Sequence, residues 1–147
     1  MPLIDLSDID PAHHEAVERL VRSMRRHGNR REDPVRSTLA YLGDRWSTLI
    51  LHVLAMGSWR HADLRRVLGR LGSEEKISQR VLTAKLRTLE RDGFVVREVS
   101  REVPPKVSYS LTAMGRDLHA QAQELIDWVL VSAPAIRAAR VRFDSAD

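Results

Sequence analysis

The feature that most restricts this chain is a change of period at Gly93. Before it, "QRVLTAKLRTLERDG" sets Leu82, Leu86 and Leu89 on one narrow stripe at helical spacing. After it, "FVVREV" and "KVSYSL" are rich in Val, Phe and Tyr and alternate apolar with polar residues over part of their length, the period of a half-buried strand. "SREVPP" joins the two runs, so they predict a β-hairpin. Val103 precedes a proline and is pushed extended, while Pro104 and Pro105 fix φ and lack an N–H. A tip built this way is stiff and does not invite edge pairing.

Upstream, Asp10-Pro11 reads as an N-cap with proline at the first helical position, and Gly28-Asn29 as a stop. Val17, Leu20, Val21 and Met24 form the apolar side of the helix between them. A second start at Pro34 leads through Leu39 and Leu42 to Asp44, which caps a third helix, "RWSTLILHVLAMG", ended by Gly57; its stripe of Trp46, Leu49, Ile50, Val53 and Leu54 is predicted core. "HADLRRVLGRL" follows as a short helix with Leu64, Val67, Leu68 and Leu71 inward. The polar link "GSEEKI" then reaches Ser78, an N-cap for the leucine-striped helix. Beyond the hairpin, Thr112 caps a long C-terminal helix with Leu118, Leu125, Ile126, Trp128 and Val129 as its apolar side, which Pro134 is expected to break.

Helix, short helix, arginine-fronted helix and hairpin, in that order, make a winged helix-turn-helix. The predicted fold class is mainly α with a small β-hairpin (α+β). The 147 residues suffice for one compact domain, in which 1–33 is an N-terminal helical extension, 34–111 the winged region and 112–147 a C-terminal helix and tail.

Rotation by 100° per residue from the leucine stripe carries Arg80, Ala84, Arg87 and Arg91 to the opposite face, with Thr83 beside them. A helix about 10–12 Å wide fits a major groove about 12 Å across. Small Thr83 and Ala84 suit contact with a thymine methyl, and Arg80 and Arg87 suit guanine or phosphate. The predicted recognition set is Ser78, Gln79, Arg80, Thr83, Ala84, Lys85 and Arg87, with Arg97, Arg101 and Lys106 on the wing and Arg60 and Arg65 on the DNA backbone. Charge agrees with a polyanionic partner. Between Gly57 and Lys106 lie twelve Lys/Arg against seven Asp/Glu, a net of +5 beside a whole-chain net of +4. A second basic knot, Arg22–Arg31, reads equally as a flanking contact or as a solvated face.

Other classes fare worse. With no cysteine there is no disulfide, thiolate zinc site or thiol sensor. His13, His14, His27, His52, His61 and His119 form no metal-binding pair at i, i+4 with a nearby carboxylate, and no cofactor is implied. Gly-rich phosphate loops, a G-x-S-x-G elbow and H-E-x-x-H are absent from the sequence, so an enzyme is not expected. No apolar run is long enough to span a bilayer, and an acidic "MPLIDLSDID" start without a signal-peptide core points to the cytoplasm. The alternative to an operator-binding protein is a winged-helix interaction or RNA-binding module. The outer helix face carries no aromatic for base stacking, which disfavours RNA.

"DRWSTLIL", "HADLRRVL", "ISQRVLTAKLRTLERDGFVVRE" and, above all, "EVPPKVSYSLTAMGRDL" resemble the HxlR-type winged-helix transcriptional regulators of bacteria. The resemblance covers roughly Pro34 to Trp128. It implies a homodimer on near-palindromic double-stranded DNA, with the helices around Pro11–Gly28 and Thr112–Val131 building the interface. Val17, Leu20, Met24, Leu118, Leu125 and Trp128 are the contact candidates there; an intramolecular core position is the alternative for Trp128. Many members carry a cysteine where this chain has Asp33, so a thiol switch is not available. A small-molecule effector in an apolar pocket between the dimerisation helices and the DNA-binding domain is the expected signal in its place; the alternative is no effector, with regulation through abundance. Members often have Phe at the position of His61 and an aromatic at that of Ser100.

Overall fold

The computed structural model describes residues 4–28, 30–72 and 76–146. The expected stop at Asn29 and the middle of the link, Ser73, Glu74 and Glu75, lie outside the described residues. The chain forms two compact units, Met1–Asp44 and Arg45–Asp147.

In the first unit Asp10 caps as expected, its carboxylate accepting from Ala12 N at 2.9 Å. The turn it caps, Pro11–His13, is a 3-10 turn, and the α-helix proper, α1, spans His14–His27. Gly28 follows with φ of 84°, the left-handed conformation that glycine adopts without strain. The Asp33 carboxylate accepts from Arg30 N at 2.6 Å and leads into α2, Pro34–Gly43. By its contacts α2 groups with α1.

The second unit is built on α3 (Arg45–Leu54), whose Ile50, Leu51, Val53 and Leu54 are all buried. This burial is wider than the stripe read from the sequence: Leu51 is inside, while Trp46 and Leu49 are only half-buried. A central helix packed on several sides does not obey one-face periodicity. Next come a two-residue strand β1 (Trp59–Arg60), α4 (His61–Leu71), α5 (Gln79–Arg91), β2 (Val95–Val99), β3 (Val107–Leu111) and α6 (Ala113–Ala146). The sheet is antiparallel in the order β1-β3-β2, with Trp59 opposite Tyr109 and Arg97 also opposite Tyr109. β1 is too short to show a period, which is why the sequence reading found only the hairpin.

Leu64 and Leu68 of α4 and Leu82, Leu86 and Leu89 of α5 are fully buried. Burial of each such side chain stabilises by about 1.5–3 kcal/mol, so each helix keeps its leucine face turned into the core. Leu71 departs from expectation: it is the last residue of α4 and half exposed, past the end of the core.

Thr112 caps α6, its hydroxyl accepting from Gly115 N at 3.0 Å and donating to Gly93 O at 2.6 Å, while Thr112 N donates to Phe94 O at 3.0 Å. The turn after α5 is thereby tied to the start of α6. The expected break at Pro134 does not occur, since α6 runs on to Ala146. Pro134 is exposed, so water can satisfy the carbonyl it frees, and the flanking Ala, Ile and Arg residues include strong helix formers. Only Gly115, Leu118 and Ala122 of α6 are buried. No described helix is long and apolar enough to cross a membrane.

Candidate nucleic-acid interface

Ser78 starts α5 as an N-cap, its hydroxyl accepting from Val81 N at 3.1 Å. With the three leucines fixed in the core, the opposite face is set by the helical turn angle. Gln79, Arg80, Thr83, Ala84 and Arg87 line one open cleft of about 560 Å³. All five belong to the recognition set read from the sequence. Two others of the recognition set stand apart. Ser78 spends its hydroxyl oxygen on the cap. Lys85 lies on the flank next to the leucines, half-buried, and does not line the cleft.

A second cleft of about 460 Å³ opens between α4 and the start of α5, lined by His61, Arg65, Arg66, Arg70, Lys76 and Gln79 among others. Arg65 Nε donates to Ile77 O at 3.4 Å, so this side chain braces the approach to α5 while staying exposed. Arg66 pairs with Asp63 at 2.8 Å, whereas no bonded partner of Arg70 or Lys76 occurs among the described residues. Arg60 ends β1, exposed, opposite Ser108. Such a concentration of cations favours phosphate.

On the hairpin, Ser100 N donates to Lys106 O at 2.8 Å and Lys106 N to Ser100 Oγ at 2.9 Å, which closes the tip loop. The Val103-Pro104 peptide is cis. Arg101 is exposed on the loop. Lys106 Nζ lies 3.7 Å from Glu102, both side chains about half exposed, a pair worth about 0–1 kcal/mol and readily exchanged for a phosphate. Arg97 is not at the tip. It faces α5, sharing a cleft with Thr83, Arg87, Glu90 and Tyr109.

One site residue escaped sequence reasoning. His61, the first residue of α4, places Nε2 3.1 Å from Thr83 Oγ1, and its ring lies 6.2 Å from that of Tyr109. Burial first, then the Arg65 guanidinium, hold its pKa below the usual histidine value. A histidine where a core aromatic was expected is the only signal that the sequence carried. A second unforeseen pair, His52 Nδ1 and His119 Nε2, lies 2.9 Å apart between α3 and α6; burial and then His119 lower the His52 pKa.

Of the candidate interface residues, Leu118 is a correction. It is buried in the core of its own unit and so is not available to a partner. Leu125 and Trp128 are exposed, Trp128 to 62%, which removes the intramolecular core alternative for that ring. Leu20 is exposed and Val17 and Met24 half-buried.

Comparison with known proteins agrees with this anatomy. The family model "HxlR-like helix-turn-helix" matches residues 41–135. The HTH-type transcriptional regulator YdeP of Bacillus subtilis is 43% identical over 65% of this chain and 70% of its own. YtfH of Escherichia coli is 37% identical over 73% of this chain and 80% of its own. Among solved structures, the transcriptional regulator ytfH from Salmonella typhimurium superposes with a TM-score of 0.61 at 36% identity, over 77% of this chain and 97% of that one. The redox regulator HypR in its reduced form gives 0.59 at 37% identity, over 72% and 99%. With its winged fold and this sequence match, the chain belongs to the HxlR-like helix-turn-helix family of transcriptional regulators.

Proposed function

We propose that this regulator is a cytoplasmic homodimer that binds near-palindromic double-stranded DNA, with α5 in the major groove and the β2–β3 tip against the backbone or minor groove. The observation that carries the reading is the cleft of Gln79, Arg80, Thr83, Ala84 and Arg87, held outward by three fully buried leucines. Phosphate contacts from Arg60, Arg65 and the wing's Arg101 and Lys106 supply affinity, and the α5 face supplies selectivity. Arg97 belongs with the α5 cleft in this scheme. Two recognition helices about 34–36 Å apart would match successive major grooves. Support for the dimer comes from α6, which after Ala122 carries Leu125, Trp128, Leu130, Val131, Val141 and Phe143 exposed; α1 is proposed to add Val17, Leu20 and Met24. The clefts on the proposed DNA face are lined by arginine, chemistry suited to phosphate.

The test is a mobility-shift titration on DNA from the regulator's own upstream region against random duplex, at two salt concentrations. Selective shifts that Arg80→Ala or Arg87→Ala weaken by about 1–3 kcal/mol support base reading. Weak, nonselective binding lost at moderate salt would overturn it.

A further inference from the structure

A threonine hydroxyl on the exposed face of a helix ordinarily turns back on its own backbone. Thr88 does so, Oγ1 donating to Ala84 O at 3.0 Å. Five residues earlier, Thr83 is engaged from outside the helix, by His61 Nε2 at 3.1 Å. The imidazole is itself held: it opens α4 directly after Arg60, which is registered opposite Ser108 in the sheet, and its ring lies beside the buried Tyr109 ring.

We propose that His61 is a specificity-determining positioning residue: it fixes the direction of the Thr83 hydroxyl and so decides whether Thr83 presents a donor or an acceptor to a base edge. The inference rests on the reading of α5 as the recognition helix. A free hydroxyl offers one hydrogen and two lone pairs and rotates to suit either kind of base. A neutral imidazole nitrogen offers either a lone pair or an N–H, never both. Burial first, then the Arg65 guanidinium one turn along α4, lower the His61 pKa and so favour the neutral ring; the charged groups lining the cleft on the Thr83 side are Arg87 and Glu90 of α5 and Arg97 of β2. With Nε2 as acceptor, the Thr83 hydrogen is consumed and its oxygen meets the amino groups of adenine or cytosine. With Nε2–H as donor, the Thr83 hydrogen is left for guanine or thymine oxygens. Each arrangement discriminates at one base pair, and neither requires His61 to touch DNA.

The experiment selects an operator from a random duplex pool with the full-length protein. Affinities for every single-base-pair variant of that operator are then measured with wild type, His61→Phe, His61→Gln, Thr83→Val and the double variant His61→Phe/Thr83→Val. Phe keeps the ring packing and removes the nitrogen. The expected result is a base preference of about two- to tenfold at one position, the value of one hydrogen bond, that H61F and T83V each abolish. The other positions keep their preferences, the double variant loses nothing further, and H61Q, which restores a polar amide, recovers part of it. A purely structural role would lower affinity at all positions alike. That outcome, or H61F leaving intact the position that T83V alters, overturns the inference while the recognition helix stands. If no sequence is enriched, the recognition-helix reading itself fails. Should H61F lose its cooperative thermal transition, the nitrogen NMR shift of His61 Nε2 in wild type and T83V decides: a changed shift supports the contact, an unchanged one overturns it.

Discussion

Replacing Gly115 with alanine sets two effects of opposite sign against each other. Gly115 is in the first turn of α6 with an ordinary helical backbone, so alanine by itself would favour the helix by up to about 1 kcal/mol. Its added methyl would overlap the Phe94 carbonyl oxygen, come within 2.9 Å of the Phe94 carbonyl carbon and 3.2 Å of Leu111 Cδ2. The backbone of Phe94 cannot yield freely, because its carbonyl accepts from Thr112 N at 3.0 Å and the preceding carbonyl, of Gly93, accepts from Thr112 Oγ1 at 2.6 Å. Overpacking costs about 1–3 kcal/mol, and losing either hydrogen bond about 1 kcal/mol more. The crowding wins, with a net loss of about 1–3 kcal/mol once the helical gain is subtracted. For a unit of this size the melting temperature should fall by roughly 5–20 °C, read by circular dichroism with a denaturant titration as the independent measure. An unchanged or raised melting temperature would refute the close approach of α6 to the turn after α5.

Trp128→Glu should convert the proposed dimer to monomer in sedimentation equilibrium while leaving far-ultraviolet dichroism unchanged, since the side chain lies outside the monomer core; a persistent dimer would move the interface elsewhere. Ser78→Ala removes the α5 cap and should cost about 1 kcal/mol in urea unfolding, with Ser78→Thr close to wild type. His52 and His61 have folded-state pKa values below the unfolded value of 6.5, so below that pH the unfolded chain binds protons first. Their contribution to stability is present above about pH 6.5 and is lost as pH falls through the lower folded-state values. His52→Gln should flatten the decline in melting temperature on acidification, and an unchanged decline would assign it to other groups. Arg87→Ala should weaken operator binding more than binding to random duplex, whereas equal losses would make Arg87 a phosphate contact.

Much of the fold was readable because its causes are local. The α5 stripe, the Ser78 and Thr112 caps and the two hairpin strands each follow from side chains within a few residues of one another, and the turn angle of a helix then dictates which α5 residues point away from the leucines. Local reasoning failed where a distant element decided the outcome. Pro134 was expected to end α6, yet an exposed helix can hydrate the carbonyl that proline frees. β1 has two residues and exists only because β3 presents an open edge. Leu118 and Trp128 lie on the same apolar side in the sequence, but the body of the unit covers the first turns of α6 and leaves the rest bare. The His61–Thr83 contact was beyond any spacing argument, since its partners are 22 residues apart on two different helices and meet only in the folded unit. Periodicity and capping chemistry determined the elements and the outward face of α5; packing alone decided which side chains meet, because the distances that set hydrogen bonds and burial are properties of the folded core.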